Sequence, residues 1–337
     1  MCRVPVPASG PFFDDLAVGD AVTDAPALTL TDAHAALHQA ILGDRLRLCL
    51  DATLAREVLG RDAVPAHPGL VCDVAIGQST IFTRRVRANL FYRGLALHRL
   101  VVLGDTLRTT TSVVALRENS RRPGRAPTGL AVLRITTVDQ EDRRVLDFLR
   151  CAMLPLRDPD RETGHDADVH AVTIDGPPPS AAAPVEGLDL GAYRAALPAG
   201  RHFDGVTAGD TWEVEGGDVV SCAPELARLT LNVAIAHQDA GAAGGTRLVY
   251  GGHTIGIAAS QLTRVLPELV TIVGWEGCDH TGPVHEGETL HSTVTVTEKE
   301  PLPGGGGRVG LRSVVRATRA GGEVDDVLDW RLTGVLA

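Results

Sequence analysis

The chain has 337 residues, of which 44% are apolar, and a formal net charge of −10 at pH 7. This length is typical of about two domains, and the acidic excess argues against binding to nucleic acid, which requires clustered Lys and Arg. No segment approaches the roughly 20 apolar residues of a membrane span, and the first residues lack the apolar run of a signal peptide, so we expect a cytoplasmic protein that does not bind membranes.

The first half is predicted to begin with helices and to continue with strands. Residues 32–41 have apolar side chains at helical spacing after Asp32, a plausible N-cap. Residues 68–82 are apolar on almost every side, which is typical of a buried helix. Four segments with alternating or β-branched residues follow and predict antiparallel strands with one buried face, at 89–97, 106–116, 129–138 and 144–154.

A segment rich in Pro, Gly and Asp separates this half from the next. Residues 158–200 include Asp158-Pro159-Asp160 and Pro177-Pro178-Pro179, which sustain neither a β-ladder nor a long helix. We expect a linker that contains at most a short helix at 188–197. The predicted units are therefore residues 1–157 and 201–337.

The second half repeats this order of elements. Helices are predicted at 224–236 and 251–262, and strands at 269–275, 290–297, 309–318 and 324–336. The glycines at 304–307 resemble a phosphate loop, but no Lys-Ser/Thr and no helix follow them, so we expect a hairpin turn. The element order predicts an α+β fold in which each half wraps an antiparallel sheet around one long helix, and the halves can pair edge to edge.

Three short motifs occur twice, in the same order, which indicates a tandem duplication. The pairs are Phe13-x5-Gly19-Asp20 with Phe203-x5-Gly209-Asp210, Gly104-Asp105-Thr106-Leu107 with Gly287-Glu288-Thr289-Leu290, and Val145-Leu146-Asp147-Phe148 with Val327-Leu328-Asp329-Trp330.

The cysteines and one histidine pair give no sign of a metal centre. The six cysteines contain no C-x-x-C pair, so reduced thiols are expected and a structural zinc site is not. His34 and His38 are spaced i, i+4 on a predicted helix, but without a nearby third ligand a solvated helix face is the expectation.

Two motifs resemble the MaoC-like dehydratase family in its double hot-dog form. Ala66-His67-Pro68-Gly69-Leu70 and Tyr250-Gly251-Gly252-His253 are similar to the family's start of the central helix. The segments from Leu100 to Leu107 and from Gly282 to Leu290 are similar to its strand entry. The segment from Arg247 to His253 and the run Cys278-Asp279-His280 also resemble mesaconyl-CoA hydratase-type members. The resemblance implies a double hot-dog fold and an enoyl-CoA substrate.

The family's signature, Gly-Asp-x-Asn-Pro-x-His-x-Asp, is divided between the halves. Asp44 is present in the first half, but Cys49 stands where His is expected. His237 and Asp239 are present in the second half, but Asn232 stands where the catalytic Asp is expected. The resemblance implies that His237 carries the acid/base work and that Asn232 orients a water through its carbonyl oxygen. A catalytic Asp44 and a solvated carboxylate both remain open.

Further site residues follow from the same resemblance. Backbone N–H groups at Gly251 and Gly252, beside Tyr250 and His253, would form an oxyanion hole, although close packing also explains the glycines. Asp239 is assigned to substrate binding, and Asp279 or His280 to the wall of the thioester channel. Arg84, Arg85 and Arg247 would bind the phosphates of CoA or a substrate carboxylate, the alternative for Arg84 and Arg85 being a solvated strand start.

The expected function is the reversible hydration of an enoyl-CoA, with a short dicarboxylic acyl group such as mesaconyl as one possibility. A non-catalytic protein that binds CoA or acyl esters and an acyl-CoA thioesterase are the alternatives, because one fold hosts several activities. We expect no cofactor apart from the coenzyme A of the substrate and no metal. A monomer in which the two halves act as a pseudo-dimer, or a homodimer, would fit.

Overall fold

The computed structural model describes residues 9–174 and 183–337, and within them the chain forms one 12-stranded sheet and seven α-helices. The strands are β1 (Ala21–Val22), β2 (Leu28–Thr29), β3 (Ala88–Leu97), β4 (Thr106–Glu118), β5 (Thr128–Val138), β6 (Arg144–Pro155), β7 (Thr211–Glu213), β8 (Asp218–Val219), β9 (Leu269–His280), β10 (Thr289–Pro301), β11 (Gly307–Thr318) and β12 (Val324–Leu336). The helices are α1 (Asp32–Leu42), α2 (Arg47–Leu50), α3 (Ala52–Leu59), α4 (Pro68–Ser79), α5 (Leu190–Ala196), α6 (Ala223–Leu229) and α7 (Gly251–Val265).

The sheet is antiparallel and continuous through both halves. Its order is β1-β4-β5-β6-β3-β9-β12-β11-β10-β7, with β2 and β8 on the outer parts of β4 and β10. The halves join where β3 pairs with β9, from Phe91 opposite Asp279 to Ala96 opposite Gly274. The predicted α+β double hot-dog fold with edge-to-edge pairing is confirmed. The pairing buries two strand edges that would otherwise be free to associate.

The helices α4 and α7 occupy the centre of the two units. Every residue of α4 except Gly69 is buried, as its uniformly apolar sequence predicts. The small residues permit very close packing: a Cβ at Gly77 would lie 1.7 Å from the carbonyl oxygen of Thr230. The second half is thereby pressed against the central helix of the first.

Matching hydrogen bonds give the register of the duplication. Gln78 on α4 donates through Nε2 to the carbonyl of Leu107 at 3.1 Å. Gln261 on α7 donates in the same way to Leu290 at 2.8 Å. Both partners are 183 positions apart in the sequence. Residues at this separation therefore occupy equivalent places in the two halves.

Most predicted elements are confirmed, and one helix is shorter than expected. The segment predicted as a helix at 224–236 forms α6, which ends at Leu229. Leu231 then adopts a left-handed backbone with φ of 60°, which a right-handed helix excludes. The segment from Asn232 to Ala234 is therefore a loop, and a 3-10 turn at Ile235–His237 follows it.

The hairpin turn predicted at 304–307 is confirmed between β10 and β11. The short helix predicted at 188–197 is α5, within the predicted linker 158–200, of which Pro177–Pro179 lies outside the described residues. Cys2 also lies outside them, and the cysteines that the structure describes are unpaired. Among residues 9–174 and 183–337, no helix has the length and apolar character needed to cross a bilayer.

Candidate active site

Two equivalent loops lie against the central helices, each on the helix of the opposite half. The N–H of Arg45 donates to Thr263 Oγ1 on α7 at 3.3 Å. The N–H of Val233 donates to the hydroxyl of Thr80, the residue that ends α4, at 2.9 Å. Asp44 and Asn232, which precede these residues, are thus equivalent, as the divided signature predicts.

The two side chains also make the same local turn. Asp44 Oδ1 accepts the N–H of Leu46 at 2.7 Å, and Asn232 Oδ1 accepts the N–H of Ala234 at 3.0 Å. Both residues are buried, 3% and 4% exposed. The scaffold is therefore shared, and the two sites differ through their other neighbours.

In the first half, Asp44 is paired with His67. His67 Nε2 lies 3.1 Å from Asp44 Oδ1, and His67 Nδ1 accepts the N–H of Gly69 at 3.0 Å. Because Nδ1 accepts, the proton of the neutral ring lies on Nε2 and faces the carboxylate. Burial alone would raise the pKa of Asp44, but His67 and the N–H of Leu46 outweigh it and lower that pKa below its usual value. His67 therefore accepts a backbone N–H at Nδ1 and faces the carboxylate of Asp44 with Nε2.

A second buried pair lies beside the first. His38 Nε2 is 3.4 Å from Asp73 Oδ2, and the rings of His38 and His67 are 5.4 Å apart. Burial lowers the pKa of His38. The expectation that His38 lies on a solvated helix face is wrong, because α1 packs this side chain against a carboxylate on α4. The adjoining cavity, between α4 and α7, has a volume of about 20 Å³, enough for one water.

In the second half, His237 has a free nitrogen. Its Nδ1 lies 2.7 Å from the carbonyl oxygen of Leu248. A carbonyl can only accept, so Nδ1 carries the proton and Nε2 carries the lone pair. Burial lowers the pKa of His237 to about 4, so the ring is neutral at physiological pH. These properties suit a general base.

Asn232 presents a donor at this site. Its Oδ1 is held by Ala234, whereas its buried Nδ2 has no hydrogen-bond partner within the described residues. The expectation from sequence is that the carbonyl oxygen of Asn232 orients the water. Because Oδ1 is held by Ala234, the side chain of Asn232 instead offers its Nδ2–H group as a donor to a bound water or ligand.

The N termini of α7 and α4 differ in their caps. Tyr250, the N-cap residue of α7, makes no side-chain hydrogen bond to the helix, which continues with Gly251 and Gly252, and the carboxylate of Asp73 lies close to Gly252. At the equivalent position in the first half, His67 caps α4. A Cβ at Gly251 would lie 2.8 Å from His280 Nε2, so glycine permits the close approach. An uncapped N terminus with its helix dipole is a site for a developing negative charge.

Two further histidines lie near this helix end. Burial lowers the pKa of both His253 and His280 to about 4. Both nitrogens of His253 and Nε2 of His280 have no hydrogen-bond partner in the part of the chain that the structure describes. The equivalent residues, 183 positions earlier, are Leu70 and Leu97. These two buried histidines therefore have apolar counterparts in the first half.

A groove of about 350 Å³ lies one residue away from His237, which does not itself line it. It is bordered by Ala236 and Leu248, the neighbour and the hydrogen-bond partner of His237. Arg85 and Arg87 line it from the first half. The groove can hold an elongated anionic ligand, and Arg85 lies where the sequence analysis expected a phosphate contact.

The remaining predicted residues are held in contacts within the protein. Asp239 accepts the N–H of Gly241 at 2.8 Å and stabilises a turn. Arg247 forms an ion pair with Glu286 at 2.6 Å, and the Nε of Arg84 is buried without a partner among the described residues. Asp279 pairs with Arg93 at 2.5 Å and Arg331 at 3.0 Å, where the halves join. Substrate contacts by these residues stay predictions.

No group of three or more His, Cys, Asp or Glu side chains in residues 9–174 and 183–337 is placed to hold a metal ion. Sequence reasoning did not identify Arg150, a buried arginine close to this site. The available signal was its position in β6 between Phe148 and Ala152, which point into the core.

Comparisons with known proteins identify the family of the chain. Residues 2–310 match the family model described as mesaconyl-CoA hydratase. The chain is 28% identical to the β-methylmalyl-CoA dehydratase of Chloroflexus aurantiacus, over 88% of this chain and 84% of that protein. It is 29% identical to the mesaconyl-CoA hydratase of Cereibacter sphaeroides, over 91% and 89% respectively.

Solved structures show the same architecture. A conserved hypothetical protein from Mycobacterium tuberculosis with a double hotdog fold matches 98% of this chain and 100% of its own, with 51% identity and a TM-score of 0.92. A MaoC domain protein from Chloroflexus aurantiacus matches 97% of each chain, with 26% identity and a TM-score of 0.81.

Proposed function

The chain belongs to the mesaconyl-CoA hydratase family, and from this premise we propose that it hydrates enoyl-CoA thioesters, and dehydrates the products, in its second half. The observation that carries this assignment is a neutral His237 with a free Nε2, next to the uncapped N terminus of α7. Cys49, the equivalent residue of the first half, has a pKa raised by burial, so its thiol stays protonated.

The residues have complementary roles in the addition of water. A water held by Asn232 Nδ2 gives a proton to Nε2 of His237 while its oxygen bonds to the β-carbon of the enoyl group. The electron pair of the double bond moves onto the thioester oxygen. Backbone N–H groups of Gly251 and Gly252 stabilise the resulting enolate. The proton on His237 then passes to the α-carbon, which completes the addition of H and OH.

We assign the coenzyme A part of the substrate to the groove that Ala236 and Leu248 border. Arg85 and Arg87 supply positive charge along it in a chain of net charge −10. The guanidinium groups suit the phosphates of coenzyme A, to which they can donate paired hydrogen bonds. The acyl end would then point toward Asn232 and α7.

The test uses the purified protein with crotonyl-CoA and mesaconyl-CoA. Hydration removes the absorbance of the conjugated thioester and releases no thiol. Release of free CoA thiol would favour a thioesterase. Tight binding of both esters without either signal would favour a protein that binds CoA esters without catalysis.

A further inference from the structure

Arg150 places a guanidinium group inside the hydrophobic core. It lies on β6 between Phe148 and Ala152, both of which belong to the core around α4. The residue is 3% exposed. An arginine at an inward-facing position of a core strand is unusual, because burying its charge costs several kcal/mol.

The contacts of this guanidinium group are all with neutral oxygens. Nε donates to Asn89 Oδ1 at 2.9 Å, Nη1 to Ser79 Oγ at 2.7 Å and Nη2 to Thr83 Oγ1 at 2.7 Å. No carboxylate of residues 9–174 or 183–337 forms an ion pair with it. These bonds use three of the five N–H donors of an arginine. Arg150, Ser79, Thr83 and Asn89 are here called the arginine nest.

The second half shows that the fold does not require this nest. Arg150 is equivalent to Leu332, because the motifs around Asp147 and Asp329 are 182 positions apart. The other three positions also carry apolar residues in the second half, 183 positions later, and all four counterparts are buried. The counterparts of Ser79, Thr83, Asn89 and Arg150 are Leu262, Leu266, Ile272 and Leu332. One copy of the fold thus fills the same space with hydrocarbon.

The arginine nest adjoins the candidate active site. Between Ser79 and Thr83, the hydroxyl of Thr80 binds the N–H of Val233, next to Asn232. The carbonyl of Arg84 accepts the N–H of Ile235 at 2.8 Å, so the same segment supports the loop that carries His237. The positive charge of Arg150 also contributes to lowering the pKa of His237 and of His280.

We propose that Arg150 is the binding residue for a second carboxylate, on the acyl group of the substrate. A carboxylate that enters beyond the double bond would accept the two remaining N–H groups and neutralise the buried charge. Serine, threonine and asparagine hold the guanidinium without neutralising it, which keeps it available for an anion. This inference rests on the proposed function and names Arg150 as the residue that selects acyl groups with a second carboxylate.

The experiment compares mesaconyl-CoA with crotonyl-CoA, which lacks the second carboxylate. In Arg150→Leu, kcat/KM for mesaconyl-CoA is expected to fall about 10²–10³-fold, while that for crotonyl-CoA changes only a few-fold. Arg150→Lys should give an intermediate loss, because it keeps the charge without the paired donors. As a matched control, Arg85→Leu in the groove should weaken both substrates alike.

A second variant keeps the test valid if the single change disturbs the fold. Ser79→Leu, Thr83→Leu, Asn89→Ile and Arg150→Leu together copy the apolar set of the second half. The melting temperature of this variant is expected to equal or exceed that of the wild type, because no buried charge remains. Selective loss of mesaconyl-CoA turnover in this stable protein would support the inference.

The two proposals fail in different ways. Two results overturn the carboxylate assignment alone. One is an equal loss of kcat/KM for both esters in a folded Arg150→Leu protein. The other is a wild type that turns over crotonyl-CoA at least as well as mesaconyl-CoA. Absence of turnover with either ester overturns the proposed function. Binding of methylsuccinyl-CoA and butyryl-CoA then decides the inference: a dicarboxylic preference that Arg150→Leu abolishes supports it, and no preference overturns it.

Discussion

The two halves place the same loop on the same kind of helix and complete it with opposite chemistry. In the first half, Asp44 and His67 engage each other, and His67 also closes the N terminus of α4. In the second half, Asn232 and His237 keep a donor and a lone pair free beside an uncapped helix. The first site pairs its histidine with a carboxylate, and the second leaves an amide donor and an imidazole lone pair for a ligand.

The residues that support the two loops also differ between the halves. The second-half loop is supported by the segment that carries the arginine nest, whereas the equivalent positions around the first-half loop are Leu or Ile. A duplicated fold needs only one reactive site. The other copy can form a satisfied core, which is stabilising, while unsatisfied groups are retained where they act.

The largest expected effect is on the second-half base. His237→Ala should lower kcat for enoyl-CoA hydration by about 10²–10⁴-fold, because the proton acceptor is removed. Cys49→Ala at the equivalent position is the control and should change kcat by less than about two-fold, since a protonated buried thiol takes no part in the reaction. Comparable losses in the two variants, measured by enoyl-thioester absorbance, would place the catalysis elsewhere.

The reverse pattern is expected for stability. Asp44→Ala should reduce the free energy of unfolding by about 2–3 kcal/mol, because it leaves the buried Nε2–H of neutral His67 without an acceptor. Asn232→Ala removes one local hydrogen bond and should reduce it by about 1 kcal/mol. Urea denaturation measures both. If folded Asp44→Ala lost as much kcat as His237→Ala does, Asp44 would have to be a catalytic residue.

The pH dependence separates the base from an exposed histidine. Since the pKa of folded His237 is about 4, the acid limb of kcat/KM should lie near that value and not near 6.5. Unfolded histidines bind protons first as the pH falls, so conformational stability should decrease below about pH 6.5. Circular dichroism at each pH shows whether the protein is still folded. An acid limb near 6.5 in folded protein would contradict the assignment.

The smallest effect is expected at the contact between the halves. Tyr250 donates to the carbonyl oxygen of Asp73 at 3.1 Å. Tyr250→Phe removes this hydrogen bond and should reduce the free energy of unfolding by about 1 kcal/mol. If the hydroxyl only joins the halves, kcat should change less than about ten-fold. A larger loss in kcat at unchanged melting temperature would add Tyr250 to the reacting groups.

Much of the architecture could be predicted from the sequence. Alternating residues, β-branched segments and an apolar central helix predicted the long strands and α4 within a few residues. The error at 224–236 arose because apolar residues continue at helical spacing past Leu229, whereas the loop there is stabilised by Thr80 from the other half. Such a contact between distant segments has no local signature.

For the site, the sequence determined the duplication, the division of the signature and the absence of a carboxylate at Asn232. The tertiary structure decided which atoms are free. It left the buried amide donor of Asn232 without a partner among the described residues, fixed the proton of His237 on Nδ1 and paired Asp44 with His67. It also brought Arg150 beneath the loop, because strand pairing and helix packing join residues that are far apart in the chain. Burial and hydrogen bonding depend on those neighbours, so the chemistry of each side chain was settled only in the folded molecule.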